Sequence, residues 1–305
     1  MVTTALASPT PTLAIGVALG GGSARGYAHI GALSTLERHG FAPTILAGSS
    51  FGAVVGALYA TERSPDELQH QAARMRRRDV LPRVVDFGLH RGALFRGRRL
   101  EDYFDRLLEG RSFEDLKRKL VVVATDADSG ERVLIESGRL APALRASASL
   151  PGIFASVEID GRRLLDGGIG TPVPIASLDG FDLDLRIGIG AGADADDSST
   201  IRVIRSALEH PWGRRVHAAM GRAGRGQTGA LMRALAWTVE GYRASIESVE
   251  DGSLHVHIRP PIHWLRFDRA EIAIRAGERA LEGAVPALRN ALAEATAQRA
   301  AMALP

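Results

Sequence analysis

The serine at position 50 stands in a setting that suggests nucleophilic chemistry. Gly48 and Gly52 flank it, the apolar run 45–47 precedes them, and a second apolar run, 53–58, follows. This order predicts a strand, a sharp turn centred on Ser50 and a helix, which together form a nucleophile elbow. Glycine suits both flanks because a Cβ there would obstruct the turn and the close approach of the helix to the strand. An ordinary glycine-rich turn is the alternative interpretation.

A second candidate for chemistry lies upstream, where a buried-strand pattern over 13–19 runs into a glycine-rich loop and then a helical pattern that ends before Gly40. The loop residues of interest are Gly20, Gly21, Gly22, Ser23, Arg25 and Gly26. Consecutive glycines let several backbone N–H groups point into one small volume, so the loop is predicted to bind a phosphate or the oxyanion of an acyl-transfer intermediate. A dinucleotide site is disfavoured because the glycine spacing does not fit and no acidic residue follows to hold a ribose. Arg25 is expected to brace the loop by hydrogen-bonding its carbonyl groups.

An aspartate at a predicted strand end is the third candidate. Residues 157–165 are typical of a β-hairpin with an Asp-Gly turn, and this hairpin ends in Asp166, followed by Gly167 and Gly168. Such an aspartate can expose its carboxylate at the sheet edge that carries an elbow serine. A turn-forming aspartate is an equally good interpretation of the same three residues.

Taken in order, these three motifs resemble those of the patatin-like phospholipases, and the bacterial branch related to the catalytic domain of neuropathy target esterase is the most similar. The resemblance covers residues 14–190 and, more loosely, the remainder. Further similar blocks lie at 122–126, 129–131, 145–154, 172–174 and 258–260. The resemblance implies an α/β fold of three layers, with a central, mostly parallel sheet between helices. It also implies a serine esterase or lipid acyl hydrolase, of phospholipase or lysophospholipase type, that uses no metal and no organic cofactor.

The same resemblance assigns roles to the candidate residues. Ser50 would be the nucleophile of a Ser-Asp dyad and Asp166 the base that accepts its proton. The oxyanion donors would be the loop amides of Gly21, Gly22 and Ser23. Ser23 stands where the family often has glycine, and Phe51 stands where a smaller residue is common and is expected to narrow the space beside the nucleophile. An acyltransferase that uses the same serine and a catalytically silent scaffold are the alternatives.

A Ser-His-Asp hydrolase is the mechanistic alternative. Five histidines follow the aspartate in the chain: His210, His217, His255, His257 and His263. None has the small-residue setting expected of a catalytic base, so surface or core positions are favoured for them. His29 is expected to pack on the first helix, where a supporting role beside the glycine-rich loop is open.

The chain is expected to form one hydrolase domain over 14–305, behind a disordered tail at 1–13. Strands are predicted near 14–20, 44–48, 120–126, 157–165, 183–190 and 253–259. The arginine-rich helical sequence over 65–116 has no strong strand pattern and is expected to form a cap beside the site. From residue 268 onward, alanine-rich sequence predicts one or two terminal helices, with a break at Pro286.

Composition and charge limit the partners. The chain has a net charge of +3, no cysteine and no segment that reads as transmembrane or secretory, so a cytoplasmic enzyme without disulfides is expected. Arginines cluster at 74–78 and 91–99, and these two stretches would attract anionic lipid headgroups at the membrane periphery or else form solvated faces. Nucleic acid is not expected as a partner because no aromatic residues interleave with the clusters. The sequence indicates neither the oligomeric state nor the lipid headgroup.

Overall fold

The computed structural model describes residues 13–74, 84–90, 93–192 and 253–302, and its core is an eight-stranded mixed β-sheet. The described strands are β1 (Ile15–Leu19), β2 (Ile45–Ser49), β3 (Phe87–His90), β4 (Ala93–Phe95), β5 (Lys119–Asp126), β6 (Arg132–Ile135), β7 (Val157–Ile159), β8 (Arg162–Asp166), β9 (Leu185–Gly190) and β10 (Leu254–His257). The sheet order is β10-β9-β1-β2-β5-β8-β7, with β6 also paired to β5, while β3 and β4 form a separate hairpin. Neighbours from β10 to β5 are parallel, and β6, β7 and β8 pair in antiparallel fashion.

Helices flank this sheet. The described α-helices are α1 (Ala28–Arg38), α2 (Phe51–Ala60), α3 (Pro65–Arg74), α4 (Arg98–Leu107), α5 (Leu140–Ser147) and α6 (Ala270–Met302). Their apolar side chains share one core cluster with one face of the sheet, while the opposite face packs against a 3-10 helix, Ile175–Leu178. β1 and β5 are buried almost end to end, as expected of strands that are covered on both faces. The predicted α/β class, with a mostly parallel sheet flanked by helices, is confirmed.

All six predicted strand regions contain strands, but the sequence did not predict β6 or the β3–β4 hairpin. The described residues of the predicted cap, 65–116, form α3, this hairpin and α4 rather than helices alone. The N–H of Phe95 donates to the Ile153 carbonyl at 2.9 Å, so β4 is stabilised by a distant segment that local patterns do not reveal. That 65–116 caps the site stays a prediction.

The break predicted at Pro286 is wrong. α6 continues through this residue because Val285 and Leu288, on its buried face, pack into the core at 7% and 0% exposure. This burial outweighs the single backbone hydrogen bond that a proline removes. In the described part of the chain, no helix has the length and apolar character needed to cross a bilayer. Residues 1–12 of the predicted tail lie outside the described residues.

One edge of β5 brings distant parts of the chain together. β2 pairs with this edge as far as Ser49, which lies opposite Val123. β6 occupies the other edge of β5, so β8 continues the β2 edge in the antiparallel direction, with Asp166 opposite Ala124. The last residue of β8 therefore lies directly beyond the end of β2, beside the turn that leads into α2.

Candidate active site

Ser50 lies in the sharp turn between β2 and α2. Its backbone has φ 53° and ψ −124°, a conformation that costs about 1–3 kcal/mol for a residue with a side chain. Glycines permit the turn: a Cβ on Gly48 would lie 2.4 Å from the Ala53 Cα, and a Cβ on Gly52 would lie 2.2 Å from the Leu19 carbonyl oxygen. The strand, turn and helix predicted around this serine are all present.

The carboxylate of Asp166 accepts a hydrogen bond from the Ser50 hydroxyl. The Ser50 Oγ donates to Oδ2 of Asp166 at 2.7 Å, and the N–H of Gly168 donates to Oδ1 at 2.8 Å. Asp166 is 6% exposed, and this burial raises its pKa to about 6, while the two hydrogen bonds act in the opposite direction. The carboxylate therefore remains mostly ionised at neutral pH but holds a proton more tightly than an ordinary aspartate.

The glycine-rich loop lies beside the serine, since a Cβ built on Gly21 would lie 3.4 Å from the Ser50 Cβ. The N–H of Gly20 donates to the Ile189 carbonyl at 2.9 Å, and the N–H of Gly21 donates to the Pro172 carbonyl at 3.1 Å. From the sequence, the Gly21 amide is expected to serve an oxyanion. In the structure both amides instead connect the loop to neighbouring segments.

The next two loop residues, Gly22 and Ser23, have available amides. Within the described ranges, neither N–H donates to an acceptor. Gly22 has φ 150° and Ser23 has φ 51°, so the chain turns sharply here, and Ser23 adopts the left-handed region that glycine reaches more easily. Gly22 and Ser23 therefore differ from Gly20 and Gly21, whose amides are already bonded to other segments.

Two polar side chains stabilise the loop. The Arg25 Nε donates to the Ile262 carbonyl at 3.0 Å. This carbonyl lies in the segment before α6, so the prediction that Arg25 bonds carbonyl groups of its own loop is wrong. His29 is fully buried, and its Nε2 lies 2.8 Å from the Gly20 carbonyl oxygen. Burial lowers the pKa of His29 to about 4, so its ring is neutral at pH 7 and donates from Nε2 to this carbonyl. His29 thus takes the supporting position that the sequence left open.

The ring of Phe51 belongs to an aromatic cluster. Its centroid lies 4.9 Å from the Tyr27 ring and 6.1 Å from the Phe267 ring. A Cβ on Gly26 would lie 2.6 Å from the Phe51 Cδ1, so this glycine leaves room for the ring. Narrowing of the space beside the nucleophile by Phe51 stays a prediction.

Ser147, at the C-terminal end of α5, contacts the elbow, and no sequence pattern predicts this role. The Ser50 N–H donates to the Ser147 Oγ at 2.8 Å, and the Ser147 hydroxyl donates to the Val123 carbonyl at 2.6 Å. In the sequence, Ser147 lies within the block at 145–154, which resembles the family but has no predicted role.

In a Ser-His-Asp triad, a histidine would hydrogen-bond the side chains of Ser50 and Asp166. Within the described residues, no histidine hydrogen-bonds either side chain. His255 and His257 lie on β10, His263 is exposed, and His210 and His217 lie outside the described residues. Nor do the described residues contain a group of three acidic, histidine or cysteine side chains placed to hold a metal ion. Within the described residues, the Ser50 hydroxyl bonds directly to the Asp166 carboxylate, with no histidine between them.

Comparison with protein families agrees with this fold. The family model for patatin-like phospholipases matches residues 17–179, which is more than half of the chain. The chain therefore belongs to the patatin-like phospholipase family. The matched region contains both Ser50 and Asp166, together with the glycine-rich loop.

Individual relatives place the chain near the NTE branch. An uncharacterized NTE family protein of Mycobacterium tuberculosis is 39% identical over 177 residues, which are 58% of this chain and 48% of that protein. Human patatin-like phospholipase domain-containing protein 6 is 33% identical over 164 residues, 52% of this chain and 12% of that protein. Lysophospholipase NTE1 of Lodderomyces elongisporus is 29% identical over 167 residues, 54% of this chain and 12% of that protein. The chain spans about half the length of the mycobacterial relative. The predicted family and branch are confirmed.

Proposed function

We propose that this chain is a carboxylic-ester hydrolase that removes acyl groups from lipids, of phospholipase or lysophospholipase type. The observation that carries the proposal is the 2.7 Å hydrogen bond from the Ser50 hydroxyl, in a strained turn, to the buried carboxylate of Asp166. Family membership supports it, and one of the relatives bears the name lysophospholipase.

The first step is the attack of the Ser50 Oγ on the ester carbonyl carbon. Asp166 accepts the hydroxyl proton as the new C–O bond forms, and its pKa of about 6 makes it a better base than an ordinary aspartate. The carbonyl oxygen becomes an oxyanion. The amides of Gly22 and Ser23 would stabilise this charge, together with the positive end of α2, which begins at Phe51.

The second half of the reaction releases the products. The tetrahedral intermediate expels the alcohol, which takes the proton from Asp166, and an acyl ester of Ser50 remains. A water molecule then transfers a proton to Asp166 and attacks the acyl carbonyl. The Ser50 Oγ leaves and takes this proton from Asp166, which frees the fatty acid and restores both side chains. An alcohol or thiol in place of this water would make the protein an acyltransferase, and product analysis with and without such an acceptor distinguishes the two reactions.

The test is covalent labelling with a fluorophosphonate probe, followed by mass spectrometry of the adduct. The variants are Ser50→Ala and Asp166→Ala, and the matched control is Asp179→Ala, which removes an aspartate whose side chain is 59% exposed. We expect an adduct on Ser50 in the wild type and in the control, and no adduct in the other two variants. Labelling or ester hydrolysis that survives Ser50→Ala contradicts the proposal.

We also propose that the chain meets its lipid peripherally, at an anionic membrane surface reached from the cytoplasm. Arg96 and Arg98 line a cavity of about 350 Å³, together with Ala155 and Ser156. Phe87, on the adjacent hairpin, is 79% exposed. Each arginine near an anionic surface contributes about 1 kcal/mol to the free energy of membrane binding. An exposed aromatic ring suits the boundary between lipid headgroups and acyl chains. Residues 75–78 and Arg91 of the predicted arginine clusters lie outside the described residues.

Sedimentation with vesicles tests this contact. Vesicles that contain phosphatidylglycerol should bind the wild type more strongly than vesicles of phosphatidylcholine alone. Arg98→Gln should weaken that binding about fivefold, and Phe87→Ser should weaken it further. The control is Arg289→Gln, an exposed arginine on α6. Equal losses in the Arg98 and Arg289 variants would mean that net charge, and not this surface, determines binding.

A further inference from the structure

Ser147 is fully buried at the end of α5 and hydrogen-bonds on two sides. Its Oγ accepts the N–H of Ser50 at 2.8 Å and donates to the carbonyl of Val123 at 2.6 Å. A hydroxyl has one hydrogen and two lone pairs, whereas an amide N–H can only donate and a carbonyl can only accept. These partners therefore determine the orientation of the Ser147 hydroxyl.

The amide of Ser50 needs this acceptor because neither neighbouring element provides one. Ser50 follows the last residue of β2 and precedes the first residue of α2, so its N–H lies outside both hydrogen-bonding patterns. A buried N–H without an acceptor costs about 1–3 kcal/mol, and this turn already stores backbone strain. The Ser147 hydroxyl thus stabilises the strained conformation that aims the Ser50 side chain.

The same short segment, 147–149, also holds the aspartate. The Ser149 carbonyl accepts the N–H of Asp166 at 3.0 Å, and the Ser147 carbonyl accepts the N–H of Gly167 at 3.4 Å. The backbones of the serine and the aspartate, 116 residues apart in the chain, are therefore attached to one segment. The distance between the Ser50 Oγ and the Asp166 Oδ2 depends on the position of this segment.

Arg145 fixes the segment from within the core. Its guanidinium group is buried, at 2% exposure for the residue, and donates to the Ser149 Oγ. Its other acceptors are the carbonyl groups of Arg96, Gly97 and Ala155. Because these bonds join α5 to the turns around it, the segment 147–149 has little freedom to shift.

We propose that Ser147 is a positioning residue for the reaction, holding the Ser50 hydroxyl in line with Asp166. The inference rests on the proposed hydrolase function. Ser147 is buried behind the turn and acts through Ser50, so its loss should impair the chemical step more than substrate binding. A misplacement of about 1 Å between reacting groups lowers the rate by about 100-fold.

The test compares the hydrolysis of a p-nitrophenyl ester by the wild type, Ser147→Ala, Ser147→Cys and Ser177→Ala, with Ser50→Ala as the blank. Ser177 is the matched control because it is also buried, and its Oγ has no partner within the described residues. We expect Ser147→Ala to lower kcat about 10- to 100-fold while KM stays within about twofold. Cysteine is slightly larger than serine and keeps a weak acceptor, so Ser147→Cys should have an intermediate kcat. Ser177→Ala should match the wild type.

The pH profile gives a second readout. The hydrogen bond from Ser50 lowers the pKa of Asp166, so weaker alignment should move the acid limb of kcat/KM to higher pH, which a mere loss of folded protein does not do. A folded Ser147→Ala protein with wild-type kcat overturns the inference. If that variant does not fold, wild-type kcat and pH profile in Ser147→Cys overturn it. Hydrolysis that survives Ser50→Ala overturns the proposed function instead.

Discussion

Asparagine in place of Asp166 isolates the effect of burying an ionisable group at this position. The variant keeps the shape of the side chain and an acceptor for the Gly168 N–H, but it cannot ionise. Burial raises the pKa of Asp166 from 3.8 to about 6. This difference of about 2 pH units corresponds to about 3 kcal/mol, at 1.36 kcal/mol for each unit.

The sign follows from which state holds the proton. Between pH 3.8 and about 6, native Asp166 is protonated while the unfolded chain has lost that proton, so the free energy of unfolding falls as the pH rises through this window. Above about pH 6 the native and unfolded states have both released this proton, so Asp166 lowers the free energy of unfolding no further. Asp166→Asn has no such loss, so its free energy of unfolding relative to the wild type should rise by about 3 kcal/mol between about pH 4 and pH 8.

Urea unfolding followed by circular dichroism at several pH values measures both free energies. Other titrating groups, His29 among them, are present in both proteins and cancel in the difference. Asp179→Asn, at an exposed aspartate, is the control. If the difference for Asp166→Asn stays constant within about 0.5 kcal/mol over this range, burial does not raise the proton affinity of Asp166 and the reasoning fails.

Three further substitutions test features around the site and in the last helix. Gly52→Ala places a Cβ 2.2 Å from the Leu19 carbonyl oxygen and should destabilise the protein by about 1–3 kcal/mol in thermal melts, whereas Gly180→Ala, with open space around it, should leave the Tm nearly unchanged. Burial lowers the pKa of His29 from 6.5 to about 4, so the wild type should lose about 3 kcal/mol of stability as the pH falls through this window, because the unfolded chain binds the proton first. His29→Gln should remove that loss, and equal acid sensitivity of the two proteins in urea unfolding would contradict the burial effect. Pro286→Ala restores a backbone donor inside α6 and should stabilise the protein by up to about 3 kcal/mol, so a lower Tm would show that the proline ring itself packs favourably.

Local patterns were sufficient for the elements around the serine. The elbow needs glycines, apolar flanks and a serine within a few residues of one another, and all of these are adjacent in the chain. The residues alone left Asp166 open between a turn aspartate and a reacting carboxylate. The family resemblance favours the second interpretation. The shared edge of β5 explains why this carboxylate lies beside Ser50, because β8 continues where β2 ends.

Features that depend on distant partners were not visible in the sequence. The amides of Gly20 and Gly21 are bonded to Ile189 and Pro172, which lie far along the chain, so no local pattern distinguishes them from the amides of Gly22 and Ser23. Ser147 has the same difficulty, because a serine at a helix end is ordinary until its partners are known. β4 depends on pairing with residues near Phe154. Sequence spacing thus predicts which loops lie close together, but not which of their backbone amides already have an acceptor.

The separation of the paired residues along the chain also sets the order in which the site forms during synthesis. At about 5–20 residues per second, roughly 6–23 s pass between the synthesis of Ser50 and that of Asp166, its partner 116 residues later. For most of that time the amide of Ser50 also lacks the hydroxyl of Ser147, which lies 97 residues downstream. An incomplete chain therefore carries the serine without the carboxylate that accepts its hydrogen bond and without the contact that holds its turn. Under the proposed mechanism, the nascent protein cannot form an acyl ester on Ser50 until the hairpin that ends in Asp166 has joined the sheet.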